Sequence, residues 1–321
     1  MISAALVATA AWLVSTGCAP RLARRLPPAT ATRLLTATAA AVAAGGTGLA
    51  LLVALPWLAQ LPVLVTLGPW AGAALRAGQP VSGPVAVALA TAVLAGAARA
   101  AVLAVRRARA MLAVRQACAD LPRAGRLAVL ASDRPEAFST PPPAGRVVLS
   151  SGLVNRLSPD ELRVVLAHEE SHLRHAHTWY ALAAELAAAA NPLLRPIARS
   201  VRDAVERWAD EDAARAVADR RLAARALART ALLTGGATTA AATLASADRG
   251  MPGRVAALLG TAPRHRLLPA LALSALLLTG TVAAGLAERR TDAVLDHAHR
   301  TVAATPGGGI DHGANLVKGN R

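Results

Sequence analysis

Ser158-Pro159-Asp160-Glu161-Leu162-Arg163-Val164-Val165-Leu166-Ala167-His168-Glu169-Glu170-Ser171-His172-Leu173 is the stretch on which the fold turns. Ser158, Pro159 and Glu161 predict a helix start, with an N-cap serine, proline at N1 and glutamate at N3 closing a capping box. Leu162, Val165, Leu166, Leu173 and Ala176 recur at helical spacing, so one face of this helix should be buried. The HExxH motif at 168–172 lies about three turns in. Residues four apart share a helix face, so His168 and His172 can offer two imidazoles to one zinc ion. Glu169 stands beside them and can take a proton from zinc-bound water, whose pKa zinc lowers to about 7. Glu170 lies about 100° further round the helix and should face elsewhere.

Such a site needs a third ligand. The HExxHxxGxxH pattern would place glycine at 175 and histidine at 178, but this chain has His175 and Thr178, which excludes it. The next candidate is Glu206-Arg207-Trp208-Ala209-Asp210, an ExxxD in a second helical stretch at about 199–219. Glu206 and Asp210 share a face there. Glu206 can complete a His, His, Glu set that leaves the fourth position to water. Asp210 can hydrogen-bond a ligating histidine and hold its tautomer. Glu211 and Glu185 are weaker competitors for the third place.

Outward from this core, the 321 residues are 54% hydrophobic and 2% aromatic, with 35 basic and 19 acidic side chains and a net charge of +16. That charge invites a nucleic-acid reading, which its distribution excludes. Residues 1–119 contain no Asp or Glu and ten Arg, and the Arg punctuate very apolar sequence. An ordinary soluble domain, a coiled coil and a disordered tail fit poorly. Cys18 and Cys118 alone make neither a disulfide framework nor a thiolate metal site.

A helix crossing the hydrocarbon core needs about 20 apolar residues. Four stretches qualify: about 1–20, 34–57, 81–105 and 267–287. The first has no basic region before its apolar run, and Val14 to Cys18 lacks the large aliphatic residue of a lipoprotein cleavage site, so a retained helix is expected. Pro56, Pro62 and Pro69 interrupt the second half of the uncharged 34–75 run, which favours one span there followed by an external loop with Arg76. One span puts Arg21, Arg24, Arg25 and Arg33 on the same side as Arg106, Arg107, Arg109 and Arg115, as the positive-inside rule requires. The expectation is a mainly α, multi-pass cell-membrane protein. Residues 1–105 would hold three spans, 106–266 a cytoplasmic helical metallopeptidase domain with a small β-hairpin or sheet, 267–287 a fourth span, and 288–321 a short polar external tail.

The order of spans, Arg-rich loop, short strands, HExxH helix, ExxxD helix and last span resembles the BlaR/MecR family of integral-membrane zinc metallopeptidases. More distantly it is similar to HtpX-type and CAAX-prenyl-type membrane proteases. The segment from Ala137-Phe138-Ser139-Thr140 to Gly145-Arg146-Val147-Val148-Leu149-Ser150-Ser151-Gly152-Leu153 resembles the hairpin preceding HExxH in that family. Leu157 to Leu162 and Glu206 to Asp210 fit its pattern too. The resemblance covers most of residues 1–290 and is sharpest at 137–215. It implies that His168, His172 and Glu206 bind zinc and that Glu169 is the general base. BlaR and MecR sensors carry an external penicillin-binding domain after the last span. Residues 288–321 contain no Ser-x-x-Lys, with Lys318 the sole lysine, so beta-lactam sensing is not expected.

Strands are expected at 127–131 and 146–150, with Pro141-Pro142-Pro143 and Gly145 marking a turn. Arg146, Val147, Val148 and Leu149 are read as an edge strand able to pair with an extended substrate. His175 and His177 can stand behind the metal-binding histidines or in solvent, with solvent the favoured reading, and the His- and Asp-containing tail is expected to be irregular. Residues 230–247 read as a loop and helix under the membrane, and 179–194 as a membrane-touching helix ending at Asn191-Pro192. The implied partners are a protein or peptide substrate and the lipid bilayer, with no direct nucleic-acid binding. Three functions stay open: regulatory proteolysis of a transcriptional repressor, HtpX-like quality control, and a non-catalytic sensor or adaptor stabilised by zinc.

Overall fold

The computed structural model of the chain describes residues 2–58, 81–142, 145–234, 250–262 and 267–303. The expected external loop around Arg76, most of the 230–247 segment, and the tail beyond 303 lie outside the described residues. In order come α1 (Ile2–Ala23), α2 (Pro28–Leu58), α3 (Gly83–Ala117), β1 (Arg123–Ala124), β2 (Leu127–Leu130), β3 (Ala137–Ser139), β4 (Val147–Ser150) and α4 (Ser151–Val154). There follow α5 (Pro159–Arg174), α6 (His177–Ala190), a 3-10 turn at Pro192–Leu194, α7 (Arg195–Val217), α8 (Arg220–Thr234), α9 (Met251–Leu259) and α10 (Leu267–Ala303).

The fold is mainly helical with one small sheet. Among the described residues, four helices are long and apolar enough to cross a membrane, at Ser3–Ala23, Pro28–Ala54, Gly83–Ala117 and Leu267–Leu286. The helices outrun the apolar stretches expected from sequence, because arginine propagates a helix nearly as well as leucine. α3 thus carries Arg106, Arg107, Arg109 and Arg115 on its last turns. Residues 288–303 continue α10 instead of forming the irregular tail expected there.

The sheet corrects one expectation outright. Its strand order is β1-β2-β4-β3, with β4 parallel to β2 and antiparallel to β3. The turn marked by Pro141 and Gly145 therefore closes β3 onto β4, while β2 reaches β4 by a longer crossover. Arg146 to Leu149 do not form an edge. Val147, Val148 and Leu149 are buried with partners on both sides, and among the described residues the free edge beside them is β3. An unbroken apolar triplet fits such a central strand better than an alternating edge.

Two cores meet on the HExxH helix. Val165 joins Val147, Leu149, Leu153 and Leu157 beneath the sheet. Val164, on the adjacent face, joins Ala213, Ala223, Ala226 and Leu258 from α7, α8 and α9. A third core runs through the long helices. Trp12, Leu35, Val42 and Leu273 pack with Leu194, Ile197 and Val201, so α7 shares its interior with α1, α2 and α10. Glycine allows the closest approach: a Cβ at Gly45 or Gly280 would lie 2.5 or 2.4 Å from the Trp12 ring.

Candidate metal centre

The site begins with a well-fixed helix start. The Ser158 hydroxyl accepts from the Glu161 amide at 3.3 Å, and the Glu161 carboxylate accepts from the Ser158 amide at 2.9 Å. Arg229 of α8 pairs with the same carboxylate at 3.1 Å. From this anchor α5 presents His168, Glu169 and His172 toward α7, which crosses it bearing Glu206 and Asp210.

His168 Nε2 and His172 Nε2 are 3.2 Å apart. Glu206 Oε2 lies 3.7 Å from the first, and Glu206 Oε1 lies 3.7 Å from the second. One donor atom from each of the three falls within 4.8 Å of the others. Two imidazoles and a carboxylate converging at this spacing fit a zinc site with its fourth position left to water. Glu170 points away, exposed beside Arg174. Glu185 pairs with Arg107 at 2.8 Å and Glu211 with Arg220 at 3.0 Å, so neither competes with Glu206.

The surroundings hold the candidate ligands from behind. Asp210 Oδ1 is 3.1 Å from His168 Nδ1. Burial alone would lower the His168 pKa, but the Asp210 carboxylate outweighs it and the net shift is upward. His172 goes the other way. Burial, then the positive character of His168 and Arg254, pushes it well below its ordinary value, so it is a neutral donor. Glu169 is shifted up, chiefly by burial and further by Glu206, against the opposing pull of His168 and of a hydrogen bond from Ser139. Ser139 ends β3, so the free sheet edge lies at the Glu169 carboxylate.

One residue of this site was missed in the sequence and another was favoured to lie in solvent. Arg254 of α9 is 6% exposed and donates to Asp210 at 2.8 and 2.7 Å through Nε and Nη2, while its Nη1 sits 3.0 Å from Glu206 Oε2. Its one sequence signal is that it is the only charge between Met251 and Pro263. His177, expected in solvent, is 1% exposed. Ala176 in the left-handed conformation (φ +52°) turns α5 sharply into α6 and folds His177 back under His172. The two Nδ1 atoms are 3.1 Å apart. Burial and its histidine neighbours hold the His177 pKa at about 3, so it is neutral, and in the tautomer with a bare Nδ1 it can accept the His172 Nδ1 proton. That bond leaves the His172 Nε2 lone pair facing the site. His175 is half-buried too, 2.9 Å from Asp212 and stacked on Trp208. Removing a partner behind a ligating histidine typically costs about 10–100-fold in metal affinity. His177→Phe should weaken zinc binding by about that factor. His177→Asn, whose Oδ1 can replace Nδ1 as acceptor, should restore most of it in a chelator competition assay.

Comparison with known proteins finds a partial family match. Residues 104–191 match peptidase family M48. The match runs from the second half of α3 to the end of α6, so it includes His168, Glu169 and His172 and stops before Glu206. A protein described as a protease HtpX homolog, from Moorella thermoacetica, is 44% identical over 59 residues. Those residues are 18% of this chain and 19% of that protein, so the similarity spans about a fifth of the relative's length. No solved structure matches.

Proposed function

We propose that this chain is a membrane-embedded zinc endopeptidase that hydrolyses peptide bonds on the cytoplasmic side, at the face carrying its Arg clusters. The observation that supports this most directly is the convergence of His168, His172 and Glu206 with Glu169 on the adjoining position of the same helix. His168 and His172 would hold zinc through Nε2, and Glu206 through its carboxylate. Zinc, when bound, supplies Lewis acidity and a water that ionises near neutral pH. Glu169 takes the proton from the attacking water and passes it to the leaving amine nitrogen. Its pKa is shifted upward by burial, which makes it a stronger base for the proton of the water. Asp210 and His177 keep both imidazoles in the ligating tautomer, and Arg254 steadies Glu206.

The strand that would align an extended substrate is β3, whose unpaired edge ends at Ser139 beside Glu169. The BlaR/MecR-like reading, with a transcriptional repressor as substrate, rests on the motif pattern around 157–162 and 206–210. The similarity to an HtpX homolog favours membrane quality control equally. A purely structural zinc site fits less well, because such sites close all four positions with protein ligands. The test is cleavage of an unfolded protein by the purified chain in detergent. Activity should vanish on chelation and return with stoichiometric zinc. Undiminished cleavage by metal-free protein would overturn the proposal.

A further inference from the structure

We infer that the α6–α7 hairpin dips into the lipid bilayer, with its tip at Asn191–Pro196 about 10 Å inside the hydrocarbon on the Arg-cluster side. This rests on reading the four long apolar helices as membrane spans. The depth follows from two contacts on α3. At one end, a Cβ on Gly83 would touch the Trp57 indole, so the ends of α2 and α3 meet there beside an interfacial tryptophan. Thirteen residues along, a Cβ on Gly96 would lie 2.4 Å from the Ala190 carbonyl oxygen. Arg99 donates to the neighbouring Ala189 carbonyl at 3.0 Å. At 1.5 Å per residue the hairpin tip is about 20 Å from the far boundary of a core about 30 Å thick.

The return path agrees. On α7, Asp203 lies within electrostatic reach of Arg24 at the end of α1, and the Arg33 guanidinium sits 5.0 Å over the Trp208 ring. Arg24 and Arg33 bracket the near boundary, since residues 34–58 carry no charge. Arg195 lies eight residues before Asp203, about 12 Å deeper. Glu206, three residues after Asp203, is carried back out to headgroup level.

The chemistry of the hairpin fits lipid. Trp179, Ala183 and Leu193 are exposed, whereas Glu185, the one carboxylate of α6, turns inward to Arg107. This is the arrangement of a lipid-facing helix, with its ionisable group inside the bundle. Trp179, about 16 Å from the tip, falls at the interface, where tryptophan is enriched. The exposed Arg195 and Arg199 are long enough for their guanidinium groups to reach back to headgroup phosphates.

Nitroxide labels on cysteines placed at Leu193, Leu94 and Arg115, in a Cys18→Ala/Cys118→Ala background, test this. Leu193 and Leu94 are 60% and 70% exposed, so both substitutions are mild. In vesicles of phosphatidylcholine and phosphatidylglycerol, the 193 label should collide with oxygen and lose collisions with a water-soluble nickel complex, as at 94 and opposite to 115. If 193 behaves like 115 while 94 stays in lipid, the hairpin inference fails and the spans stand. A label at 193 shielded from both reagents would mean protein covers the tip, which also overturns the inference. Nickel collisions at 94 would remove the spans themselves and the inference with them.

Discussion

Replacing Glu169 with glutamine should leave a protein that retains about one zinc per chain yet cleaves peptide bonds about 10²–10⁴ times more slowly, the usual worth of a positioned general acid–base. Glutamine keeps the shape and much of the hydrogen bonding to Ser139 but cannot take up a proton. The proposed ligand set of His168, His172 and Glu206 does not include residue 169, so metal content should not fall. The two readouts together separate base loss from site collapse. Unaltered turnover in the metal-loaded Glu169→Gln protein would mean that the proton moves elsewhere, and the mechanism would be wrong.

The second large effect is expected at Asp210. It is 4% exposed and paired bidentately with the equally buried Arg254, and it backs His168. Asp210→Ala leaves a buried guanidinium with Glu206 as its remaining carboxylate partner, and breaking such a pair from one side typically costs about 3–5 kcal/mol. Denaturation in detergent should show that loss, together with weaker zinc binding. The double variant Asp210→Leu/Arg254→Met should recover much of the stability, because removing both charges leaves neither unpaired. It should not recover metal affinity, since His168 still lacks its partner. An additive double variant would refute the coupling. The same pair predicts an acid limit. Despite burial, Arg254 and His168 hold the Asp210 carboxyl down at about 2. A depressed carboxylate stabilises the fold above its unfolded pKa of about 3.9. That stability should drain away as pH falls from about 4 toward 2.

Much of this was readable one segment at a time. The capping box at Ser158 and Glu161 is a signal within four residues, and it stands as read. The apolar runs bounded by arginines foretold four long helices for the same reason, since both length and charge are local. Convergence of His168, His172 and Glu206 was expected from two motifs, each confined to one helix. The reading failed where the answer lay in another part of the chain. Val147, Val148 and Leu149 lie in an apolar strand in either reading. Whether that strand is an edge depends on β3, whose three residues carry too weak a pattern to place it. His177 reads as one histidine in a charged segment until the left-handed turn at Ala176 folds it beneath His172.

The sequence by itself therefore determined the helices, their capping, the apolar spans and the chemical types gathered at 168–172 and 206–210, because each is written in periodicity over a few turns. Only the tertiary structure decided that Arg254 ties Glu206 to Asp210 across 44 residues of chain, and that a neutral histidine holds His172. Those outcomes depend on which distant surfaces meet. Packing of α5, α7, α8 and α9 around Val164, Ala213, Ala223 and Leu258 brings Arg254 to the site, and the left-handed turn at Ala176 brings His177, and no local pattern encodes either.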